Sequence, residues 1–363
     1  MRKAECEMRN DMPNQPLVSV IVPAYNAEQT LEKCVNSLTT QTYRNVEVIV
    51  VNDCSTDGTL ALAQHLAAAD ARVKVCDRKQ NGGLSQARNS GMEQAVGDWF
   101  VFVDSDDWIE PETIETAVDA MQKNDADLVV WSYVSEYGES KKEKHIFDGD
   151  QVMTNDELLL CTFGPVGERL AHPEFIHSLS TVCTKLFNAQ LIRNHHLIFY
   201  DLEKIGAEDL YFSAQYGCAC PAGQSVYLDR CFYHYIKANT ASLSGRYKPQ
   251  YTAMAFHVNT ALQELCAGRE NADECMAAIR NRWALCLINI GLNEMMATDG
   301  RRAVCKRLKK VLNEPPIRQA LKQLEFRYLP LKWKAFFLCA RLRCTLLFYG
   351  LLRAMQKLIA YHD

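Results

Sequence analysis

The stretch that decides the fold is WFVFVDSDDWIEP, Trp99 to Pro111, in which five apolar residues run directly into three acids. A continuous apolar run that ends in polar residues predicts a central strand of a parallel sheet, buried on both faces. Ligands of such sheets bind at the carboxyl ends of the strands. Crowded carboxylates repel one another unless a cation lies between them. Asp104, Asp106 and Asp107 therefore predict a site for a hard divalent ion that holds a phosphorylated substrate.

The residues before this stretch alternate between strand and helix patterns. Thr56 is predicted to cap the second helix, with Asp57 in its first turn. A repeated strand and helix order with short loops predicts a doubly wound, largely parallel sheet with helices on both faces. The loop after the first strand, PAYNAE, lacks glycine, and no Gly-Lys-Ser/Thr loop exists, so both common nucleotide-binding motifs are excluded. Strands are predicted at 17–22, 46–51 and 73–76, and helices at 28–40, 56–66 and 84–95.

Composition indicates a folded cytoplasmic protein with an electrostatically separate tail. Residues 301–363 carry 15 lysines and arginines against 3 acids, a net charge of +12, whereas residues 1–300 carry 25 against 41, or −16. The N-terminus has no apolar core of a signal peptide, and no uncharged segment reaches the length of a membrane span. Fifteen cysteines without C-x-x-C or paired Cys/His spacing predict reduced, mostly buried thiols and argue against zinc binding.

Five motifs occur in an order and spacing that resemble one family. Together they are similar to the family 2 glycosyltransferases, inverting enzymes of GT-A fold that use nucleotide-sugar donors. The motifs are VSVIVPAYNAEQTLEKCVNSLTTQT, VEVIVVNDCSTDGT, NGGLSQARNSG, GDWFVFVDSDDWIEP and GAEDLYF.

The resemblance covers about residues 17–245 and implies a division of the chain. We expect a flexible N-terminus at 1–16, a donor-binding half at 17–125, an acceptor-side half at 126–245 and a helical C-terminal region at 246–363.

The resemblance assigns nucleoside contacts to Pro23, Tyr25 and Asp53. A fixed carboxylate such as Asp53 can accept from the imide N–H of a uracil-type base, and Tyr25 offers an apolar ring with a polar tip. The alternative for Asp53 is an ordinary loop or helix-capping acid. Asn52 and Cys54 depart from the common family pattern. Because a residue with a Cβ disfavours positive φ, Cys54 predicts a different loop shape.

The phosphate side is predicted around Arg88 and the acid cluster. Arg88 follows a Gly-Gly turn at a helix start and can reach a diphosphate or the acids, unless it is an exposed surface arginine. The resemblance makes Asp106 the ligand of Mn²⁺ or Mg²⁺, with Asp104 contacting ribose or, indirectly, the metal. Asp107, like Glu110 and Glu112, is expected to open the next helix.

Glu208 and Asp209 form the second predicted chemical centre. Direct displacement at an anomeric carbon requires a base for the acceptor hydroxyl, and the resemblance gives that role to Asp209. Glu208 is expected to bind acceptor hydroxyls or to change the proton affinity of Asp209 through like charge. The alternative is an acid pair that only stabilises a helix N-terminus.

For each of three further residues, the sequence allows a role in the active site or an ordinary position at the surface or in the core. Lys185 is predicted either to position acceptor or phosphate or to be a surface lysine. His234 and Lys237, before a Ser-rich loop, are placed near the diphosphate by resemblance, although a lone histidine is often packed.

The charged segment at 136–145, EYGESKKEKH, is predicted to be a solvated turn.

The tail is predicted to be a basic amphipathic helix. An uncharged stripe recurs at steps of three and four between Leu331 and Leu358. Such a helix docks on an anionic membrane, packs on the protein's own helices, or joins a homodimer, and these alternatives stay open. Nucleic acid is not an expected partner. The stripe comprises Trp333, Phe337, Ala340, Cys344, Leu347, Leu351, Ala354 and Leu358.

These features predict an inverting, metal-dependent hexosyl- or N-acetylhexosaminyltransferase. It would move a sugar from a UDP-type donor to a hydroxyl of a glycan or lipid-linked acceptor in surface polysaccharide biosynthesis, at the inner membrane face. The sequence lacks Q-x-x-R-W and membrane spans, so it does not resemble the processive polysaccharide synthases of the same family. One transfer per encounter is therefore expected. The rival interpretations are a non-catalytic nucleotide-sugar binding module and a sugar-phosphate nucleotidyltransferase.

Overall fold

The computed structural model describes residues 15–138, 140–173, 179–201, 205–237 and 247–362. The predicted flexible N-terminus and the Ser-rich loop after Lys237 lie almost wholly outside these residues.

The core of the molecule is a mixed sheet flanked by helices. Its strands, within the described residues, are β1 (Val18–Ala24), β2 (Val46–Asn52), β3 (Val73–Asp77), β4 (Trp99–Phe102), β5 (Trp108–Ile109), β6 (Leu128–Tyr137), β7 (Ser140–Lys144), β8 (Gln151–Thr154), β9 (Lys185–Asn188) and β10 (Gln224–Ile236).

The strand order is β3-β2-β1-β4-β9-β6-β10-β5, with β7 beside β6 and β8 beside β10. The first four strands in this order are parallel, as predicted, because each of the three connections from β1 through β4 contains a helix that crosses back over the sheet. Strand β9 is antiparallel to both β4 and β6 and joins the two halves of the sheet. The carboxyl ends of β1, β2 and β4 therefore meet at one edge.

Helices cover the sheet and then form a separate C-terminal layer. They are α1 (Leu31–Thr39), α2 (Thr59–Ala69), α3 (Gly83–Gln94), α4 (Thr113–Lys123), α5 (Asn155–Phe163), α6 (Ala189–Asn194), α7 (Glu208–Ala219), α8 (Tyr251–Cys266), α9 (Ala272–Met295), α10 (Arg301–Asn313), α11 (Pro315–Gln323), α12 (Leu331–Arg341) and α13 (Thr345–His362), with 3₁₀ turns at Gly167–Ala171 and Phe326–Tyr328.

Three local predictions are wrong. Strand β1 does not stop at Pro23 but continues to Ala24, because Pro23 needs no N–H donor where it pairs with Val51. Thr56 does not cap α2: the Asp57 carboxylate accepts from the Thr59 amide at 3.0 Å, and the helix begins there. The charged segment predicted to be a solvated turn contains β7, which forms a hairpin with β6.

The C-terminal helices share a second hydrophobic core with α5 and α7 of the sheet domain. Phe163 and Leu210 from the sheet domain pack in this core with Ile279, Trp283 and Phe337. This core includes residues on both sides of the boundary proposed at residue 246. The predicted domain boundaries stay a prediction.

The tail is two helices rather than one. Helix α12 ends in a Schellman turn, in which the Arg343 amide donates to Ala340 O and the Cys344 amide to Cys339 O, both at 3.0 Å. Arg343 has φ +58°, so the helical phase is lost there. Between residues 345 and 358, the part of α13 whose side chains the structure describes, the buried positions are consequently Phe348 and Leu352, whereas Leu347 of the predicted stripe is 63% exposed.

Among the described residues, no helix is long and apolar enough to cross a membrane. The 14 described cysteines are free thiols, but only six of them are buried and eight are partly exposed, so the prediction of mostly buried thiols is wrong.

Candidate active site

The carboxyl edge of the sheet brings the predicted motifs together. Asp53 follows β2, and its amide donates to Ala24 O at the end of β1 at 2.9 Å. The acid cluster follows β4. Helix α3 packs against β1 and β2 and begins at Gly83. Chain reversals at one sheet edge thus place residues from distant motifs around one centre.

Arg88 of α3 joins the acid cluster to the Glu208-Asp209 pair. One guanidinium nitrogen donates to Asp104 Oδ1 at 2.9 Å, and the other donates to Asp209 Oδ1 and lies 3.6 Å from Glu208 Oε1. The Arg88 side chain is 1% exposed, so the expectation of an exposed surface arginine is wrong. Its guanidinium also lies over the Phe199 ring, 5.2 Å from the centroid. A buried arginine of this kind is held by compensating carboxylates.

Burial makes the Glu208-Asp209 pair more basic than ordinary carboxylates. Burial and the neighbouring Asp209 charge raise the pKa of Glu208 to about 7, although Arg88 opposes this rise. Burial also raises the pKa of Asp209, and the charge of Arg88 acts against it. A carboxylate tuned in this way is suited to accept a proton near neutral pH.

A buried lysine shapes the wall beside Asp209. Lys185 is 1% exposed, and its ammonium donates to Thr181 O and, at 2.9 Å, to Leu179 O. Burial lowers the pKa of Lys185 to about 8. The same segment supplies the Val182 amide, which donates to Asp209 Oδ2 at 3.4 Å. Lys185 is thus not a surface lysine but holds this segment in place, and its role toward acceptor or phosphate stays a prediction.

The three acids after β4 have different surroundings. Tyr233 OH donates to Asp107 Oδ2 at 2.5 Å, and the Ile236 amide donates to Asp107 Oδ1 at 2.8 Å. Asp107 is therefore buried against β10, and its predicted place at the start of a helix is wrong because α4 begins only at Thr113. Burial and the charges of Asp104 and Asp106 raise the pKa of Asp107 well above its usual range.

The donor set at Asp104 and Asp106 fits a hard divalent ion. Burial, with the charge of Asp104, raises the pKa of Asp106, so ionising both carboxylates is unfavourable in the protein alone. A cation with oxygen ligands removes that penalty. The side chain of Asp104 keeps 32% of its surface exposed, so this end of the acid cluster is open to solvent.

Asp53 organises the loop that precedes α3. Its carboxylate pairs with Arg78 and accepts from the Gly82 amide at 3.0 Å and the Gly83 amide at 2.7 Å. Asp53 is 2% exposed, whereas Tyr25 is 52% exposed at the end of β1. The capping alternative therefore describes part of what Asp53 does, and nucleoside contact at Pro23, Tyr25 and Asp53 stays a prediction.

One expectation about a neighbouring residue fails. Cys54 adopts the positive φ, +58°, that its side chain disfavours, so the loop keeps a left-handed residue without glycine. His234 is buried, as the packed alternative expects, and its ring nitrogens lie 2.7 Å from Glu136 Oε1 and 2.8 Å from Glu110 Oε1. Contact of His234 with a diphosphate stays a prediction. The Lys237 ammonium lies 2.8 Å from Tyr137 OH.

Sequence reasoning missed several residues at this edge. Trp108 stacks on His234 with ring centroids 3.6 Å apart, and Lys33 lies 4.8 Å from the Trp108 centroid. Tyr233 OH, besides holding Asp107, accepts from the Asp104 amide at 3.3 Å. Trp108 carried a signal, since it lies in the fold-deciding stretch, whereas Tyr233 itself gave none although its neighbour His234 was singled out.

Comparisons with known proteins identify the family of the chain. The model of the family "Glycosyl transferase family 2" matches residues 19–167. The Bacillus subtilis (strain 168) protein named "Putative glycosyltransferase EpsH" is 30% identical over 306 residues, covering 82% of each chain. Glycosyltransferase GlyA of Streptococcus pneumoniae serotype 4 is 34% identical over 220 residues, which are 60% of this chain but 30% of that longer protein.

A solved structure shares the fold across nearly the whole chain. S. aureus TarS 1–349, in complex with UDP-GlcNAc, superposes with a TM-score of 0.67 at 20% identity, covering 94% of this chain and 92% of that one. The predicted α/β fold of GT-A type with a helical C-terminal region is thereby confirmed. By these relatives and the matched family model, the chain belongs to glycosyl transferase family 2 and is a glycosyltransferase.

Proposed function

We propose that the chain is an inverting glycosyltransferase that transfers a hexosyl or N-acetylhexosaminyl group from a UDP-sugar to a hydroxyl of a glycan or lipid-linked acceptor in surface polysaccharide biosynthesis. The observation that carries this proposal is the Arg88 guanidinium, which contacts Asp104 of the acid cluster and Asp209 of the predicted base pair. The donor and the base are thereby expected to occupy one cleft.

In the proposed reaction Asp209 acts as general base. Asp209 takes the proton of the acceptor hydroxyl as its oxygen forms a bond to the anomeric carbon. The bond from that carbon to the diphosphate oxygen breaks at the same time, and its electron pair leaves with the nucleoside diphosphate. Arg88 and the Val182 amide orient the Asp209 carboxylate. Attack opposite the leaving group inverts the configuration.

The protein groups around the donor have separate proposed tasks. Asp106, with Asp104 beside it, would hold Mn²⁺ or Mg²⁺, which when bound offsets the charge on the leaving diphosphate. Tyr25 supplies an exposed ring for the base or ribose. Asp53 keeps the loop at 78–83 in place through the two glycine amides and offers its carboxylate toward an imide N–H.

A panel experiment tests this proposal. The purified chain is incubated with nucleotide sugars, Mn²⁺ or Mg²⁺ and simple glycan acceptors, and release of nucleoside diphosphate is measured. One UDP-sugar is expected to give metal-dependent release, with a product of inverted configuration by NMR. Consumption of a sugar phosphate with a nucleoside triphosphate would instead indicate a nucleotidyltransferase, and binding without any release would indicate a binding module.

We also propose that the chain docks on an anionic membrane through the corner between α12 and α13. Leu338 is 47% exposed, and Leu342, Leu346 and Leu347 are each 63% exposed at this corner. Burial of these exposed leucine side chains among acyl chains lowers the free energy of the system and favours docking.

The charge beside this corner suits anionic headgroups. A cavity of about 570 Å³ adjoins it and is lined by Arg318, Lys322, Arg341 and Arg343, and none of its described lining residues carries a carboxylate. Basic groups near an anionic surface each contribute about 1 kcal/mol of attraction. This corner, rather than the predicted stripe, is the surface we assign to the membrane, because the first half of that stripe is buried in the protein.

A further inference from the structure

Away from the active edge, three side chains with different donor atoms converge beside the β6-β7 hairpin. Glu143 lies in β7, His145 directly follows it, and Cys231 lies in β10. One ligand atom from each lies within 4.8 Å of the others. His145 Nε2 is 3.2 Å from Glu143 Oε2 and 3.9 Å from Cys231 Sγ.

The histidine is oriented by a second carboxylate. Asp229 Oδ1 lies 2.6 Å from His145 Nδ1, and Asp229 itself accepts from Tyr227 OH at 2.9 Å and from the Gly149 amide at 3.0 Å. A proton on Nδ1 shared with Asp229 leaves the Nε2 lone pair directed at Glu143 and Cys231. Histidine ligands of metals are commonly held in this way, by a carboxylate on the opposite ring nitrogen.

The sheet geometry explains why residues so distant in sequence meet. Strand β6 pairs with β7 on one side and β10 on the other, with Glu143 opposite Val134 and Cys231 opposite Ser132. The pairing of β10 slips between Leu228 and Cys231, and such irregularities redirect side chains. His145 and Cys231 are 86 residues apart, so no spacing rule reveals them.

We propose that Glu143, His145 and Cys231 bind one Zn²⁺ ion. A nitrogen, a thiolate and a carboxylate suit this borderline ion, and three protein ligands leave the fourth tetrahedral position to water. On binding, the Cys231 thiol releases its proton to solvent and its sulfur forms the bond to zinc. The ion ties β7 to β10 across β6. It is distinct from the hard ion proposed at Asp106, where the acid cluster supplies carboxylate oxygens.

Metal titration of the full chain tests the proposal. After chelator treatment, Zn²⁺ is titrated against a chromophoric chelator, and Co²⁺ is used as a spectroscopic probe. One equivalent of tightly bound Zn²⁺ and a thiolate-to-cobalt charge-transfer band are expected. Cys231→Ser removes the band, and Asp229→Asn weakens zinc binding by about 10 to 100-fold. Cys305→Ser, at a partly buried thiol of α10, is the control and leaves both unchanged.

The alternative is a protonated His145 that only pairs with its two acids. In that case wild type and Cys231→Ser bind the same amount of Zn²⁺ and Co²⁺ gives no sulfur band, which would overturn the proposal. Thermal unfolding separates binding from misfolding: zinc is expected to raise the Tm of wild type and Cys305→Ser but not of Cys231→Ser. Equal shifts in all three would also overturn it.

Discussion

At the carboxyl edge of the sheet, the positive charge of Arg88 is enclosed among Asp104, Glu208 and Asp209. The arginines at the α12-α13 corner instead face solvent, and among the described residues no carboxylate lines the adjoining cavity. In the first region, the protein compensates its own charge and thereby sets the basicity of a carboxylate. In the second region, the negative charge that compensates the arginines has to come from a binding partner. The first arrangement suits chemistry, and the second suits attachment to an anionic partner.

Removing the enclosed cation has the largest expected effect. Arg88→Met leaves three carboxylates facing one another, and breaking a buried ion pair costs about 3 to 5 kcal/mol. We expect urea unfolding at pH 8 to show a loss of this size. The loss becomes smaller as the pH falls, because burial raises the pKa of both Glu208 and Asp209 and their protonation removes the repulsion between the carboxylates.

Arg318→Met removes a cation from the solvent-facing region and serves as the matched control. Its free energy of unfolding is expected to stay within about 0.5 kcal/mol of wild type. Equal losses in the two variants would erase the contrast between the regions.

A pH series probes the enclosed carboxylates next. Because the pKa of Glu208 is raised to about 7, the folded state keeps a proton that the unfolded state has lost, so the free energy of unfolding falls as pH rises from about 4.5 to about 7. Transfer activity rises with pH, since Asp209 must be ionised to accept a proton and burial raises its pKa too.

Glu208→Gln sharpens this prediction because it removes one of the two titrating carboxyls. The fall in stability over that pH range is expected to flatten in the variant, as measured by urea unfolding at several pH values. A slope identical to that of wild type would show that Glu208 does not carry the effect.

The smallest effect is expected at the corner. Leu342→Glu places a charge where an exposed leucine is proposed to enter the headgroup layer, so co-sedimentation with vesicles containing anionic lipid should fall by about tenfold or more. Stability should hardly change, since Leu342 is 63% exposed. Leu331→Glu, at an 83% exposed leucine at the start of α12, is the control.

Two results would count against docking at this corner. Equal binding of Leu342→Glu and wild type to the anionic vesicles would show that this corner is not the membrane-docking surface. A concentration-dependent change of mass in solution, lost in Leu342→Glu, would assign the corner to a second copy of the chain instead.

The two regions also differ in how far their structure follows from sequence. Strands β1 to β4 and the acid cluster after β4 were predictable because each lies in one continuous segment with a clear apolar run, whereas the charged strand β7 was not. The break in the tail was not, since the Schellman turn uses Arg343 where glycine is the usual signal. One left-handed residue shifted the helical phase and exposed Leu347.

Within the site, the residue types were predictable but their partners were not. The sequence placed Arg88 near either a diphosphate or the acids, and only the fold shows it between Asp104 and Asp209. Lys185 and Tyr233 gave no signal of their burial, because their partners are backbone atoms and a side chain remote in sequence.

The measurement that tests the central claim most directly is sugar transfer and donor binding by Asp209→Asn, with Asp119→Asn, an exposed acid of α4, as the control. Transfer is predicted to fall by about 10² to 10⁴-fold, while the nucleotide sugar binds with nearly unchanged affinity, because the base acts on the acceptor. Transfer at the wild-type rate, or loss of donor binding together with transfer, would contradict the assignment of Asp209 as the base.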